Sequence, residues 1–260
     1  MNRRRQLLAL VAGVAAAAGL AACGDGSGTA ASPSGSASAN GSIVVYAAAS
    51  LQESFTQLGK DFEAAHPGAK VTFSFGASSA LAAQLTAGAP ADVFAAASPA
   101  TMTQAASVVG TPATFAVNTM QIAVPPENPA GIAGLPDLAK PTVKVAVCQS
   151  QVPCGATAAK VFSNAGITVT PVTAEVDVKA VLTKVSLGEV DAGVVYVTDV
   201  VAAANSVKGI VIPAGLNAST AYPVAVVNST RQRATATAFV DLVTSPAGHA
   251  VLARAGFAAP

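Results

Sequence analysis

Four points in this sequence put hydrogen-bond donors at the start of a helix, directly after a strand-like run. Ser50 follows the run 43–47 and opens a helical stretch, with Glu53 completing a Ser-x-x-Glu capping box. Ser78 and Ser79 take the same strand-to-helix position after Phe75-Gly76-Ala77. Cys154 and Gly155 open a third helix after Pro153, and Asp177 caps a fourth with Val178 in its first turn. Each helix start leaves backbone N–H groups unpaired and carries about half a positive charge. In a parallel sheet such starts gather at the carboxyl ends of the strands, where ligands bind. Four together could offset a dianion without any Lys or Arg.

Catalysis has little to build on. Gly76-Ala77-Ser78-Ser79-Ala80 lacks the second Gly of a nucleophile elbow. His66, beside Pro67, and His249, in the last helix, lie outside the strand-end motifs. No paired carboxylates stand out, and no spacing suits a metal. The sequence predicts no catalytic residue, no enzyme, no cofactor and no site for a free metal cation.

Cys148 and Cys154 enclose a short loop with no His nearby, and their spacing matches no zinc or thioredoxin motif. In an exported chain the expectation is a disulfide, which the chain-entropy model credits with roughly 2 kcal/mol. The alternative is two unpaired buried thiols.

The elements that position these residues alternate. Strands are expected over 43–47, 71–75, 91–96, 143–147, 168–173 and 192–197, with extended segments at 114–124, 210–212 and 222–228. Helices are expected over 51–65, 79–87, 99–108, 155–164, 178–187, 235–242 and 246–255. Leu51, Phe55, Leu58 and Phe62 share one face of the first helix, which stops at His66-Pro67-Gly68. Alternating strands and helices predict an α/β fold with parallel sheets covered on both faces.

Residues 1–22 have the three parts of an export signal: Arg3, Arg4 and Arg5, an apolar stretch over 7–20, and Leu20-Ala21-Ala22 before Cys23. That ending resembles a bacterial lipobox, which implies a diacylglyceryl group on Cys23 as the mature N-terminus. Acyl chains, not a spanning helix, would then anchor the protein to the outer face of the cell membrane. Residues 23–42 are rich in Gly, Ser, Ala, Thr and Pro and predict a flexible tether. The chain is 52% hydrophobic and 10% charged, yet no run beyond the leader reaches the roughly 18 apolar residues of a spanning helix. Without the three leader arginines the count is 11 basic against 13 acidic residues, a net charge of −2. No basic stripe is present, which argues against a nucleic-acid partner.

From Ile43 to the end the chain resembles the periplasmic molybdate-binding components of bacterial ABC importers. The resemblance rests on Tyr46-Ala-Ala-Ala-Ser50-Leu51, Phe75-Gly-Ala-Ser78-Ser79-Ala-Leu81, Gly88-Ala-Pro-Ala-Asp92-Val-Phe94, Val152-Pro-Cys154-Gly155, Asp177-Val178-Lys179, the stretch from Gly188 through Tyr196 to Asp199, Tyr222-Pro-Val-Ala-Val-Val227, and Phe239 through Phe257. It implies the two-lobed periplasmic-binding-protein fold, each lobe a mainly parallel sheet flanked by helices, with two crossing strands as hinge. The crossings would be 114–124 and 222–227, dividing the chain into lobe 1 (43–118 and 225–260) and lobe 2 (119–224).

The resemblance also implies a ligand, molybdate or tungstate, and a set of contacts. Ser50 and Ser78 would each give a hydroxyl and a backbone N–H, Cys154 and Val178 a backbone N–H, and Tyr196 its phenol O–H. Cys154 departs from the small residue, often Ala, usual in the family; because only its N–H is needed, function should survive. The implied partners are the oxyanion and a membrane permease, with the protein itself a monomer. All the donated groups are donors, which suits a fully deprotonated oxyanion. Hydrogen phosphate would leave its own O–H unmatched, at about 1–3 kcal/mol when buried. A binding protein for another tetrahedral oxyanion, such as sulfate, is the alternative; a metal-cation carrier or a purely structural lipoprotein has less to support it.

Overall fold

The first strand shows how the sequence builds the fold. In β1 (Gly41–Ala48) the alternate residues Ile43, Val45 and Ala47 are buried, as a half-covered strand requires. The helix α1 (Gln52–Ala65) lays Phe55, Leu58 and Phe62 against the same core, at the spacing of one helical face. A computed structural model describes residues 39–260; the expected export signal, the lipidated Cys23 and most of the tether lie outside the described residues.

The remaining elements are β2 (Ala69–Gly76), α2 (Ser78–Thr86), β3 (Val93–Ala95), α3 (Pro99–Gln104), β4 (Ala113–Val124), β5 (Val145–Cys148), α4 (Pro153–Ala165), β6 (Thr173–Glu175), α5 (Val178–Ser186), β7 (Ala192–Tyr196), α6 (Val197–Ala203), β8 (Lys208–Val211), β9 (Ser219–Val226), α7 (Arg233–Thr244) and α8 (Pro246–Arg254). The strands hydrogen-bond in the order β2-β1-β3-β9-β4-β7-β5-β6, with β8 also on β4.

Two parallel triads carry the strand ends that matter. β1 runs parallel to β2 and β3, and β5 parallel to β6 and β7. Between the triads the pairing is antiparallel, which helix-strand alternation alone does not anticipate. β9 pairs antiparallel with β3 and with the first part of β4, through Thr119. From Met120 onward β4 pairs with β7 and β8 instead. One 12-residue strand therefore serves both halves of the fold.

Each half has its own core. An aromatic cluster of Phe55, Phe73, Phe115 and Phe239 fills the first, with Phe55 and Phe239 ring centroids 6.0 Å apart and edge-on. The second is aliphatic, built from Ile122, Val145, Val161, Val181, Val194 and Val195. This is the two-lobed α/β architecture expected of the chain.

Several local readings change. β1 starts at Gly41, two residues before the expected Ile43, because Gly41 N–H donates to Gly68 O at 2.8 Å. The strand expected over 168–173 is instead β6, beginning only at Thr173. Pro171 lacks an N–H for the ladder, so regular pairing starts beyond it. The short helix α6 was not anticipated; it follows β7 without any loop, so no turn residue marks its start.

Candidate functional site

The carboxyl ends of the parallel strands converge on one small cavity of about 20 Å³. This is below the roughly 300–1,000 Å³ typical of sites for drug-sized ligands. Its walls include Ala48 and Ala49 at the end of β1, Gly76 and Ala77 at the end of β2, and Ala97 after β3. Ser50, Ser78, Cys154, Val178 and Tyr196 all line it. Residues more than 140 positions apart in the chain thus meet because each ends a strand or starts a helix. All five are nearly inaccessible, from 1% exposed for Ser78 and Tyr196 to 5% for Cys154.

Ser50 is not the capping residue its spacing with Glu53 suggested. It sits in a single 3-10 turn, Ala49–Leu51, and the N-cap of α1 is Leu51, without any side-chain cap. The Ser50 hydroxyl instead pairs with the Tyr222 hydroxyl at 2.8 Å. Glu53 reaches away and accepts two hydrogen bonds from Lys179 Nζ, at 2.8 and 2.9 Å. The hydroxyl thus has no capping role, although Ser50 itself lines the cavity.

Ser78 is the first residue of α2, whose N-cap is Ala77. Its Oγ accepts the Ala97 N–H at 3.0 Å, which leaves its own proton to donate. Cys154 is the second residue of α4, after Pro153 at N1. It is bonded to Cys148, the last residue of β5, with the two Cα atoms 5.8 Å apart, so the pairing expected of these cysteines is present. Gly155 follows where nothing larger fits: a Cβ there would lie 2.0 Å from Gln149 O. Val178 opens α5, and Asp177 caps it as expected, its carboxylate accepting the Ala180 N–H at 3.0 Å. Asp177 also borders the cavity, but its charge is engaged with its own helix. First-turn N–H groups such as those of Ser78, Cys154 and Val178 have no acceptor within their own helix.

Tyr196 ends β7 and has a buried hydroxyl without a hydrogen-bond partner among the described residues. Thr157 and Tyr222 are its polar neighbours and bear on its ionisation, but neither meets hydrogen-bond geometry with it; the Thr157 hydroxyl donates to Pro153 O and the Tyr222 hydroxyl pairs with Ser50. Burial holds the Tyr196 phenol well above its usual pKa, and the Asp199 charge adds to that shift, so the group remains a donor. A buried O–H with no partner costs about 1–3 kcal/mol. An oxyanion in the cavity would remove that cost, and the donor set fits such a ligand.

The sequence did not reveal the polar shell behind the cavity. Asp199 in α6 is fully buried; one carboxylate oxygen accepts the Tyr196 N–H at 3.1 Å, and the other lies 3.3 Å from Lys179 Nζ. Burial pushes its carboxyl up to about 6, with Lys179 opposing the shift. Lys179 therefore joins Glu53 and Asp199 in a three-charge network. Asn118, in the middle of β4, is also buried and bonds Thr198 and Tyr222. An Asn in the same alternation as Ala116, Met120 and Ile122 was the available signal for it.

Residues 43–258 match the family model of bacterial extracellular solute-binding proteins. The chain is 44% identical to the molybdate-binding protein ModA of Mycobacterium tuberculosis, over 94% of each chain. It is 31% identical to the Escherichia coli protein of the same name, covering 84% of this chain and 89% of that one. The periplasmic molybdate-binding protein of Azotobacter vinelandii superposes with a TM-score of 0.74 at 22% identity, over 84% of this chain and 99% of that one, a likeness of fold. Together with a cavity of buried donors at the strand ends, these matches establish that the chain belongs to the bacterial extracellular solute-binding proteins.

Proposed function

We propose that this protein captures molybdate outside the cytoplasm, and tungstate by the same contacts, and delivers it to the membrane permease of an ABC importer. The observation that carries the reading is the meeting of Ser50, Ser78, Cys154, Val178 and Tyr196 around one cavity, with the Tyr196 hydroxyl still unpartnered among the described residues. The two serines would give hydroxyl and N–H, Cys154 and Val178 their N–H, and Tyr196 its phenol proton. Hydrogen bonds to a charged partner are worth roughly 1.5–3 kcal/mol each. The family's extracellular setting and the molybdate-binding relatives at 44% and 31% identity support the same ligand.

In this reading residues 43–118 with 225–260 form one lobe and 119–224 the other, and the anion sits between them. The protein acts as a monomer, tethered by a lipid on Cys23 through residues 23–42. The test is a melting series with molybdate, tungstate, sulfate and hydrogen phosphate. A ligand at 100 times its Kd adds about 2.7 kcal/mol of stability. Molybdate and tungstate should raise the melting temperature and the other two should not. Equal shifts with sulfate would replace the reading with the sulfate alternative; no shift with molybdate would end it.

A further inference from the structure

The Ser50 hydroxyl carries one proton, so it can donate to an oxyanion only if its neighbour in the protein donates to it rather than accepting from it. For Ser78 the backbone does this, since its Oγ accepts the Ala97 N–H. For Ser50 the partner is the Tyr222 hydroxyl, and a pair of hydroxyls has no inherent direction. Direction must come from the next group along.

That group is Asn118. Its Oδ1 accepts the Thr119 N–H at 3.0 Å, which fixes the amide orientation, because the flipped amide would set two donors against each other. The amide nitrogen then faces Thr198 Oγ1 at 2.9 Å and the Tyr222 hydroxyl at 3.4 Å. The Tyr222 oxygen thus meets a donor on the Asn118 side, and its proton points at Ser50, 2.8 Å away, rather than at the neighbouring Tyr196 hydroxyl, with which it makes no hydrogen bond. Tyr222 and Asn118 are 0% and 1% exposed, so no bulk water competes for these positions.

We propose that Asn118 and Tyr222 are positioning residues that set the polarity of the Ser50 hydroxyl. Hydrogen bonds are donated from the Asn118 amide to Tyr222, from Tyr222 to Ser50, and from Ser50 to the bound oxyanion, with no proton transferred. The relay makes Ser50 a donor and denies the cavity an acceptor at that point, so it sets the preference for a fully deprotonated anion. This rests on the molybdate reading. It also ties selectivity to β4 and β9, the strands between the two halves, since Asn118 lies on one and Tyr222 on the other.

The test is a set of Kd values for molybdate and for hydrogen phosphate at about pH 8, in wild type, Tyr222→Phe, Ser50→Ala and the double variant. Phe keeps the ring that packs edge-on against Phe115 and Phe257, so the fold should hold. Loss of one neutral hydrogen bond predicts a molybdate Kd raised roughly 3- to 10-fold in Tyr222→Phe. Hydrogen phosphate, now offered an acceptor at Ser50, should hold its affinity or gain, so the ratio of the two Kd values falls. On the Ser50→Ala background the Tyr222→Phe penalty should vanish. Asn118→Asp, checked for folding by circular dichroism, reverses the relay at its source and should move the ratio the same way. Equal losses for both anions, or an undiminished Tyr222→Phe penalty without Ser50, would overturn the relay while leaving the molybdate reading intact. A wild type that binds no molybdate would overturn both.

Discussion

Tyr196→Phe is expected to separate binding from stability in opposite directions. The substitution removes one buried hydroxyl and keeps the ring, which is 1% exposed and edge-on to Tyr222 with centroids 6.0 Å apart. With an oxyanion bound, the lost bond is one to a charged acceptor, worth roughly 1.5–3 kcal/mol. At about 1.4 kcal/mol per tenfold, the molybdate Kd should rise about 10- to 150-fold. Without ligand the same hydroxyl has no partner among the described residues, and relief of that burial is worth up to about 1–3 kcal/mol. The ligand-free variant should therefore be at least as stable as wild type, with a melting temperature higher by about 2–4 °C for each kcal/mol recovered. Titration calorimetry and a melting curve without ligand, on the same preparations, make the comparison. A variant that is destabilised by more than about 1 kcal/mol without ligand, yet binds within twofold of wild type, would refute the argument: Tyr196 would then be a core residue and nothing more.

Three further outcomes concern the shell behind the cavity and the disulfide loop beside it. Because burial raises the Asp199 carboxyl from 3.8 to about 6, the folded state binds its proton more tightly than the unfolded chain. Its contribution to stability is then full below about pH 4 and lost as pH rises through 6, by up to about 3 kcal/mol, so Asp199→Asn should flatten the stability profile across that window. Lys179→Met removes the charge that opposes this shift, so the same feature should move to higher pH, while the half-exposed Glu53 arm alone is worth at most about 1 kcal/mol; an unmoved profile in urea titrations at several pH values would contradict the ion network. Cys148→Ser with Cys154→Ala should lose about 2 kcal/mol of stability by the chain-entropy model yet still bind molybdate, since in the proposed site Cys154 would contribute only its N–H; loss of binding in a folded double variant would show the loop's rigidity to be essential.

How far the sequence reached depended on the range of the interactions. Ser78, Cys154 and Val178 were legible because local rules govern them: a helix start is written in the residues beside it. Asp177 was read correctly as a cap for the same reason. Ser50 and Glu53 met that local rule and did not obey it. The Tyr222 hydroxyl, 172 positions away, holds Ser50, and Lys179, 126 positions away, holds Glu53. A capping box is worth about 1 kcal/mol, so one buried hydroxyl pair and one bidentate ion pair suffice to displace it. The antiparallel pairing of β4 with β7, β8 and β9 was illegible for a similar reason, since nothing in an extended run states the direction of its neighbour. Asn118 gave a signal, being polar on the buried side of its strand, but its meaning depends on Thr198 and Tyr222, 80 and 104 positions away.

The charge arrangement around the cavity predicts how salt should act. Lys179 is next in the chain to Val178, but its ammonium is held by Glu53 at 2.8 Å and Asp199 at 3.3 Å. With both carboxylates ionised the trio carries a net negative charge, so it cannot be what attracts a dianion. Asp177 adds no positive charge either. In the proposed site attraction would fall to the starts of α2, α4 and α5 and to the hydroxyls of Ser50, Ser78 and Tyr196, all buried and short in range. Surface charge pairs are screened within about 8 Å at physiological ionic strength, whereas buried dipoles in contact with the ligand are screened far less. The molybdate Kd should then change less than about threefold between roughly 0.05 and 0.5 M sodium chloride, a range over which an anion site built on exposed lysines or arginines would weaken steeply. Calorimetric titrations across that series decide it: a Kd that climbs tenfold or more would mean that a charged side chain, and not the helix starts, holds the anion.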